Sequence, residues 1–188
     1  MDKKKIVFVV FCLVVVAQLY VPAKMIFDRN DILITGKPFK FKAAPIDPSD
    51  PLRGKYIVLN FEATTTDAPK GTTWAYDSPV YLELTHDSNG YAKISSVYQE
   101  APMDRSDYVE AKVAYFNDNL NTLSIEYPFN RYYMEESKAQ DAEDLYRNIS
   151  GDSTQVTYAL VYVKSGEAVL KDVLVNNVSI KDMVKQQE

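Results

Sequence analysis

The 188 residues carry a formal charge of −5 and one cysteine, Cys12. The length suffices for a terminal segment and one domain that buries its own core; a lone cysteine inside an apolar run excludes an intrachain disulfide and thiol catalysis in the body. Residues 1–30 hold five Lys/Arg and two Asp, leaving 16 basic and 24 acidic residues, so the remainder is near −8. That balance runs against nucleic-acid binding, which rests on Lys and Arg neutralising phosphates.

Lys3, Lys4 and Lys5 precede an apolar run, Ile6 to Val21, whose only strongly polar member is Gln18. At 16 residues the run is slightly short of the ~20 that span a bilayer core. Pro22, Ala23, Met25, Ile26 and Phe27 extend it, and Lys24 can snorkel to the headgroups. Residues 6–27 are therefore the expected bilayer contact. The flank lacks an A-x-A cleavage pattern, so an uncleaved signal anchor is preferred over a cleaved signal. The basic tip places the N-terminus in the cytoplasm and the body outside, as a single-pass protein of the cell membrane.

After a juxtamembrane segment, Phe39, Phe41 and Ala43 alternate with Lys40 and Lys42, the period of a strand with one buried face. The two Asp-Pro steps at Asp47-Pro48 and Asp50-Pro51 make a stiff connection. Gly54 then permits a backbone approach that a side chain would block. Tyr56 to Phe61 reads as a strand, with Ile57, Leu59 and Phe61 on one face and Tyr56, Val58 and Asn60 on the other, both faces at least partly covered.

Residues 63–79 read as a long loop with a short strand, anchored by the only tryptophan, Trp74. Val80–Thr85 and Tyr91–Tyr98 form a hairpin around Asn89-Gly90, whose residues supply positive φ angles. Tyr108–Phe116 and Leu120–Tyr127 form a second around Asn117-Asp118-Asn119. Ser137 to Ile149 reads as the single body helix, with Ser137 and Gln140 in a capping box and Ala142, Leu145, Tyr146 and Ile149 on one face. Val156–Val163 and Ala168–Val175 form a third pair, and Val178–Ile180 follows a turn at Asn176-Asn177.

The fourteen tyrosines and eight phenylalanines against six glycines favour sheet. The expected architecture is mainly β: a transmembrane helix followed by one antiparallel barrel or sandwich-like domain of eight to ten strands with a single short helix. The divisions are 1–30 for tip, anchor and juxtamembrane segment, 31–182 for the extracytoplasmic domain, and 183–188 for a polar, fraying tail.

The segment Gly54-Lys55-Tyr56-Ile57-Val58-Leu59-Asn60-Phe61 resembles the G-D-Y-x-x-L-x-Y signature of a bacterial membrane-anchored family of unknown function. Gly54, Tyr56 and Leu59 match; Lys55 replaces the acid and Phe61 the last tyrosine. Asp47 to Arg53 is similar to the family's D-P-x-D-P-x-R-G lead-in. Arg131-Tyr132-Tyr133-Met134-Glu135-Glu136 is similar to its R-Y-F-V-P-E segment, and Glu143 falls at a later acidic position. The resemblance implies an anchored extracytoplasmic domain and no established reaction. Lys55 removes whatever chemistry the usual acid supplies, and the hydroxyl missing at Phe61 marks a packing position.

The signature or possible binding residues are therefore Asp47, Asp50, Arg53, Gly54, Tyr56, Leu59, Arg131, Tyr132, Glu136 and Glu143. No catalytic set emerges. Ser49 with Lys55 is a weak version of a signal-peptidase-like serine/lysine dyad, because Ser49 lies between prolines. His86 is the sole histidine and opens a hairpin turn, which excludes metal sites built from several imidazoles or thiolates. Acidic groups such as Asp47 with Asp50, or Asp141 with Glu143 and Asp144, lack calcium-loop spacing. No cofactor or metal is expected. Arg53 and Arg131 either tie loop to helix through Glu136 or Glu143, or hold an anionic group in a bidentate fork. The leading expectation is a non-enzymatic interaction or accessory module for an envelope or integral membrane protein; a serine/lysine hydrolase and a module binding a small anionic ligand are the alternatives.

Overall fold

The computed structural model of the chain describes residues 3–43, 56–133 and 155–185. Helix α1, Lys3–Thr35, runs 33 residues through Pro22 without a break. It is long and apolar enough to cross a membrane, and a helix is the form that satisfies the backbone groups of such a run internally, the carbonyl four residues before Pro22 excepted. It continues five residues past the expected boundary at residue 30 because its last turns dock on the body. Ile32 is buried, Arg29 Nη1 donates to the Ala168 carbonyl oxygen at 2.9 Å, and Lys164 Nζ donates to Asp31 at 2.6 Å and Thr35 at 2.8 Å. Gly36 ends the helix: a Cβ there would lie 2.4 Å from the Ile32 carbonyl oxygen and 3.1 Å from that of Val163.

Eleven strands are described: β1 Lys37–Lys42, β2 Tyr56–Val58, β3 Thr65–Asp67, β4 Pro79–His86, β5 Ala92–Tyr98, β6 Tyr108–Asn117, β7 Thr122–Glu126, β8 Arg131–Tyr133, β9 Thr157–Lys164, β10 Glu167–Val175 and β11 Val178–Ser179. All named strand pairs are antiparallel, in sheets of order β1-β9-β10-β11, β2-β8 and β3-β7-β6-β4-β5. The sheets nearly close into a barrel. At one seam the tip of the β9–β10 hairpin bonds to β6, with Gly166 donating to the Tyr108 carbonyl at 3.0 Å and Glu110 donating to that of Gly166 at 2.8 Å. At another, Ala43 bridges Phe61, and Phe39 stacks on the exposed His86 ring at 4.8 Å.

The period-two pattern at β1 is realised: Phe39 and Phe41 are fully buried, and Lys40 is exposed. Trp74 anchors its loop as expected, buried with its indole N–H 2.9 Å from Thr72 Oγ1. Both Ser165 and Gly166 take positive φ, as do Asn176 and Asn177, the requirement of two-residue hairpin turns that follow the strand twist. The β4–β5 connection differs from the tight turn read at Asn89-Gly90. Only Gly90 has positive φ there, because the Asp87 carboxylate accepts from the N–H groups of Asn89 and Tyr91, each at 2.8 Å, and so holds a wider loop.

Two further expectations change. Val58 and Asn60 are exposed, so the strand at Tyr56–Phe61 is not covered on both faces, and β2 itself ends at Val58. Residues 180–185 form helix α2, Ile180–Lys185, which carries Val184 of the expected polar tail into the core beside Ile180. The helix read at Ser137–Ile149 lies outside the described residues.

Candidate functional site

Two short aromatic and β-branched segments, far apart in the chain, meet in the ladder of β2 and β8. Its register is Tyr56↔Tyr133, Ile57↔Tyr132 and Val58↔Arg131, and Leu59 N–H extends it to the Asn130 carbonyl at 2.8 Å. These are the two segments that carried the family resemblance. Residues directly opposite in an antiparallel pair share a face, so Val58, Arg131 and Tyr133 lie on one side and Tyr132 on the other. Val58 is 40% and Tyr133 62% exposed, and Arg131 is exposed as well.

Tyr132 is buried. Its hydroxyl donates to Asp172 Oδ1 at 2.5 Å, the same oxygen accepts from Val173 N–H at 2.9 Å, and Lys181 Nζ sits 4.9 Å from the ring centre. Tyr132 therefore ties β8 to β10 and α2 and is not offered to a ligand. Leu59 is likewise a core residue. Tyr127, just ahead of the ladder, donates to the Ala63 carbonyl at 2.6 Å.

Burial pushes the Tyr127 phenol above its ordinary value, and burial followed by the Asp172 bond does the same for Tyr132. A phenol whose pKa is higher folded than unfolded supports the fold fully below the unfolded value of about 10 and loses that contribution as pH rises toward the folded value. Stability against urea is therefore expected to decline above pH ~10, and Tyr127→Phe to decline less steeply. Identical slopes for the two chains between pH 9 and 11.5, about the range that brackets free tyrosine, would remove this assignment.

Beside the ladder lies an open cleft of about 700 Å³, bounded by α1, β6, the β7–β8 connection and the start of β10. Arg29, Lys112 and Arg131 supply positive charge, Glu110, Glu126 and Glu167 negative charge, and Tyr127 and Tyr133 aromatic wall. Lys112 Nζ is 2.8 Å from Asp77, a hydrogen bond that raises its pKa, and it stands opposite Glu126 in the β6–β7 register. Cations and carboxylates thus interleave. A lone anion entering the cleft meets three acids as well as three bases. Among the described lining residues there is no serine, cysteine or histidine to act as a nucleophile or imidazole base.

Of the sequence-derived site residues, Tyr56 and Arg131 are brought together by the ladder, while Leu59 and Tyr132 are structural. Asp47, Asp50, Arg53, Gly54, Glu136 and Glu143 lie outside the described residues, as do Ser49 and Lys55. Sequence reasoning missed Arg29, Glu110, Lys112, Glu126 and Glu167. The alternation of Val109, Ala111 and Val113 with Glu110 and Lys112 signals an outward face on β6, but nothing in it says that this face shares a cleft with α1.

Together these features define a class: a β-rich, nearly closed barrel carried on one N-terminal helix long and apolar enough to span a bilayer. The chain belongs to the GDYXXLXY protein family, whose model matches residues 18–173, from within α1 to within β10. No curated protein and no solved structure matches it.

Proposed function

We propose that the chain is a non-enzymatic accessory module, anchored once in the cell membrane by α1 with its N-terminus in the cytoplasm. The barrel, on the extracytoplasmic side, docks on an envelope or integral membrane protein through the β2–β8 ladder and the neighbouring cleft. The observation that carries this reading is the outward face of the ladder, where Val58, Arg131 and Tyr133 stand side by side and exposed. Tyrosine and arginine are enriched at the energetic centres of protein interfaces, and interleaved charges suit a protein surface of complementary pattern. The three lysines ahead of the apolar run support the orientation.

The test is capture of the tagged full-length chain from detergent-extracted native membranes. One membrane protein is expected to co-purify, and its recovery to fall roughly tenfold or more when Arg131→Ala and Tyr133→Ala are combined, the scale of interface hot spots. Thermal unfolding of the double variant is recorded alongside, so that loss of docking is read apart from loss of fold. Undiminished recovery removes the ladder as the docking face, and protection of the barrel from protease added to sealed spheroplasts reverses the topology.

A further inference from the structure

The apolar run of α1 contains one amide side chain, Gln18. It is exposed, and among the described residues its amide has no hydrogen-bond partner. Pro22, inside the same helix, has no N–H, so the Gln18 carbonyl loses the donor that an α-helix would supply four residues on. Two polar groups are thereby concentrated at one level. At ~1.5 Å per residue that level lies about 18 Å from Ile6 and about 14 Å from Phe27, close to the middle of a hydrocarbon core ~30 Å thick. No water reaches them there, and side-chain amides at such depth are met by hydrogen-bonding groups on neighbouring helices.

The direction of this site is fixed by the helix itself. With about 3.6 residues per turn, Phe11, Met25, Arg29 and Ile32 all project within roughly 40° of Gln18 around the axis. Arg29 and Ile32, the buried residue of α1, are among those that seat the helix on the barrel, while Asp31 and Thr35 reach Lys164 from farther round the axis. The barrel and its cleft therefore overhang the Gln18 side of the membrane helix. A second copy of the chain is a poor occupant of that side: packed in parallel, its own α1 continues to Thr35, roughly 12 Å beyond Phe27, into the space the first barrel fills.

We propose that Gln18, with the carbonyl freed by Pro22, docks against a transmembrane helix of a different integral membrane protein. That helix carries Ser, Thr, Asn or Gln at mid-depth and ends at the membrane surface beneath the barrel. The inference rests on the docking function proposed above and adds to it the depth, side and chemistry of the contact.

The test places the photocrosslinker p-benzoylphenylalanine singly in the full-length chain in native membranes, at Phe11 or Met25 on the Gln18 side and at Val9 or Val16 on the opposite side. Adducts are expected from the first pair alone, with the crosslinked peptide of the partner lying in a membrane helix that bears a hydrogen-bonding residue. Gln18→Leu, which leaves the helix more apolar and still inserted, should lower adduct yield roughly tenfold, and Gln18→Asn should recover much of it. Adducts of twice the chain mass, equal adducts from both sides, or adducts indifferent to Gln18→Leu overturn the proposal. If the wild-type helix gives no adducts while a membrane protein is still captured through Arg131 and Tyr133, the helix contact is overturned and docking by the barrel stands.

Discussion

Replacing Gly166 with valine is expected to destabilise the barrel by roughly 2–4 kcal/mol, read as a lower urea midpoint. Two costs combine at this position. The backbone φ is +92°, a region that L-residues enter with strain and β-branched residues least readily. A Cβ would also lie 3.1 Å from Cε2 of the buried Tyr108 ring, so that the ring or the hairpin must move. Neither movement is local, because Gly166 and the β6 backbone exchange two hydrogen bonds and Ser165 N–H adds a third to the Ser106 carbonyl at 2.8 Å. Displacing the hairpin tip therefore opens a seam of the barrel and disturbs the wall of the cleft beside Glu110 and Ala168. Gly166→Ala is expected to cost less, about 1–2 kcal/mol. Ser165→Asn should be close to neutral, since Ser165 already has φ +48° and asparagine tolerates the left-handed region. A Gly166→Val chain with an unchanged midpoint would show that the seam contributes little.

The sequence revealed those parts of the fold whose causes are local. Period-two burial at Phe39 and Phe41, the turn chemistry at Asn176-Asn177, and an apolar loop anchor at Trp74 each depend on neighbours a few residues away, and each is realised. Closure depends on contacts that no window of the sequence contains. The bonds of Gly166 to β6 and the pairing of β2 with β8 are non-local, and strand register across such distances is set only when both faces find their surroundings. The same reason explains the tail: Val184 stands beside Met183 in an otherwise polar KDMVKQQE segment, and only the position of α2 against the core tells it apart from a surface valine. For the candidate site, Arg131 was legible as part of a resemblance, whereas its alternation with Tyr132 separates an exposed arginine from a buried tyrosine once β8 is paired. The charged wall of the cleft was illegible because Arg29, Glu110 and Glu167 belong to three elements that become neighbours through closure.

The largest single loss of stability is expected from Phe41→Ala, about 3–5 kcal/mol. Phe41 is fully buried in β1 and its ring touches three others, with centroids 5.5 Å from Phe61, 5.2 Å from Tyr127 and 4.9 Å from Phe129. Those three also contact one another, at 5.9, 5.6 and 5.0 Å, so removing Phe41 leaves a cavity inside a closed cluster whose members cannot all collapse into it. The cluster explains why phenylalanine serves at the last position of the signature: Phe61 is buried among rings, where an added hydroxyl would need a hydrogen-bond partner of its own. It also connects stability to the docking face. Phe61 follows β2 and Phe129 precedes β8, so in this antiparallel pair the two rings clamp the same end of the ladder, the one where Val58 faces Arg131. In Phe41→Ala, amide exchange at Leu59, whose N–H bonds to the Asn130 carbonyl at 2.8 Å, should accelerate together with the drop in global stability, and Phe41→Leu should show both effects at smaller size. A variant that loses less than about 1 kcal/mol in equilibrium denaturation followed by Trp74 fluorescence, below the usual range for emptying a buried phenylalanine site, would mean that the ring cluster does not hold the ladder. Global loss with Leu59 exchange unchanged under conditions of local opening would instead place the ladder in a unit that is stable without β1.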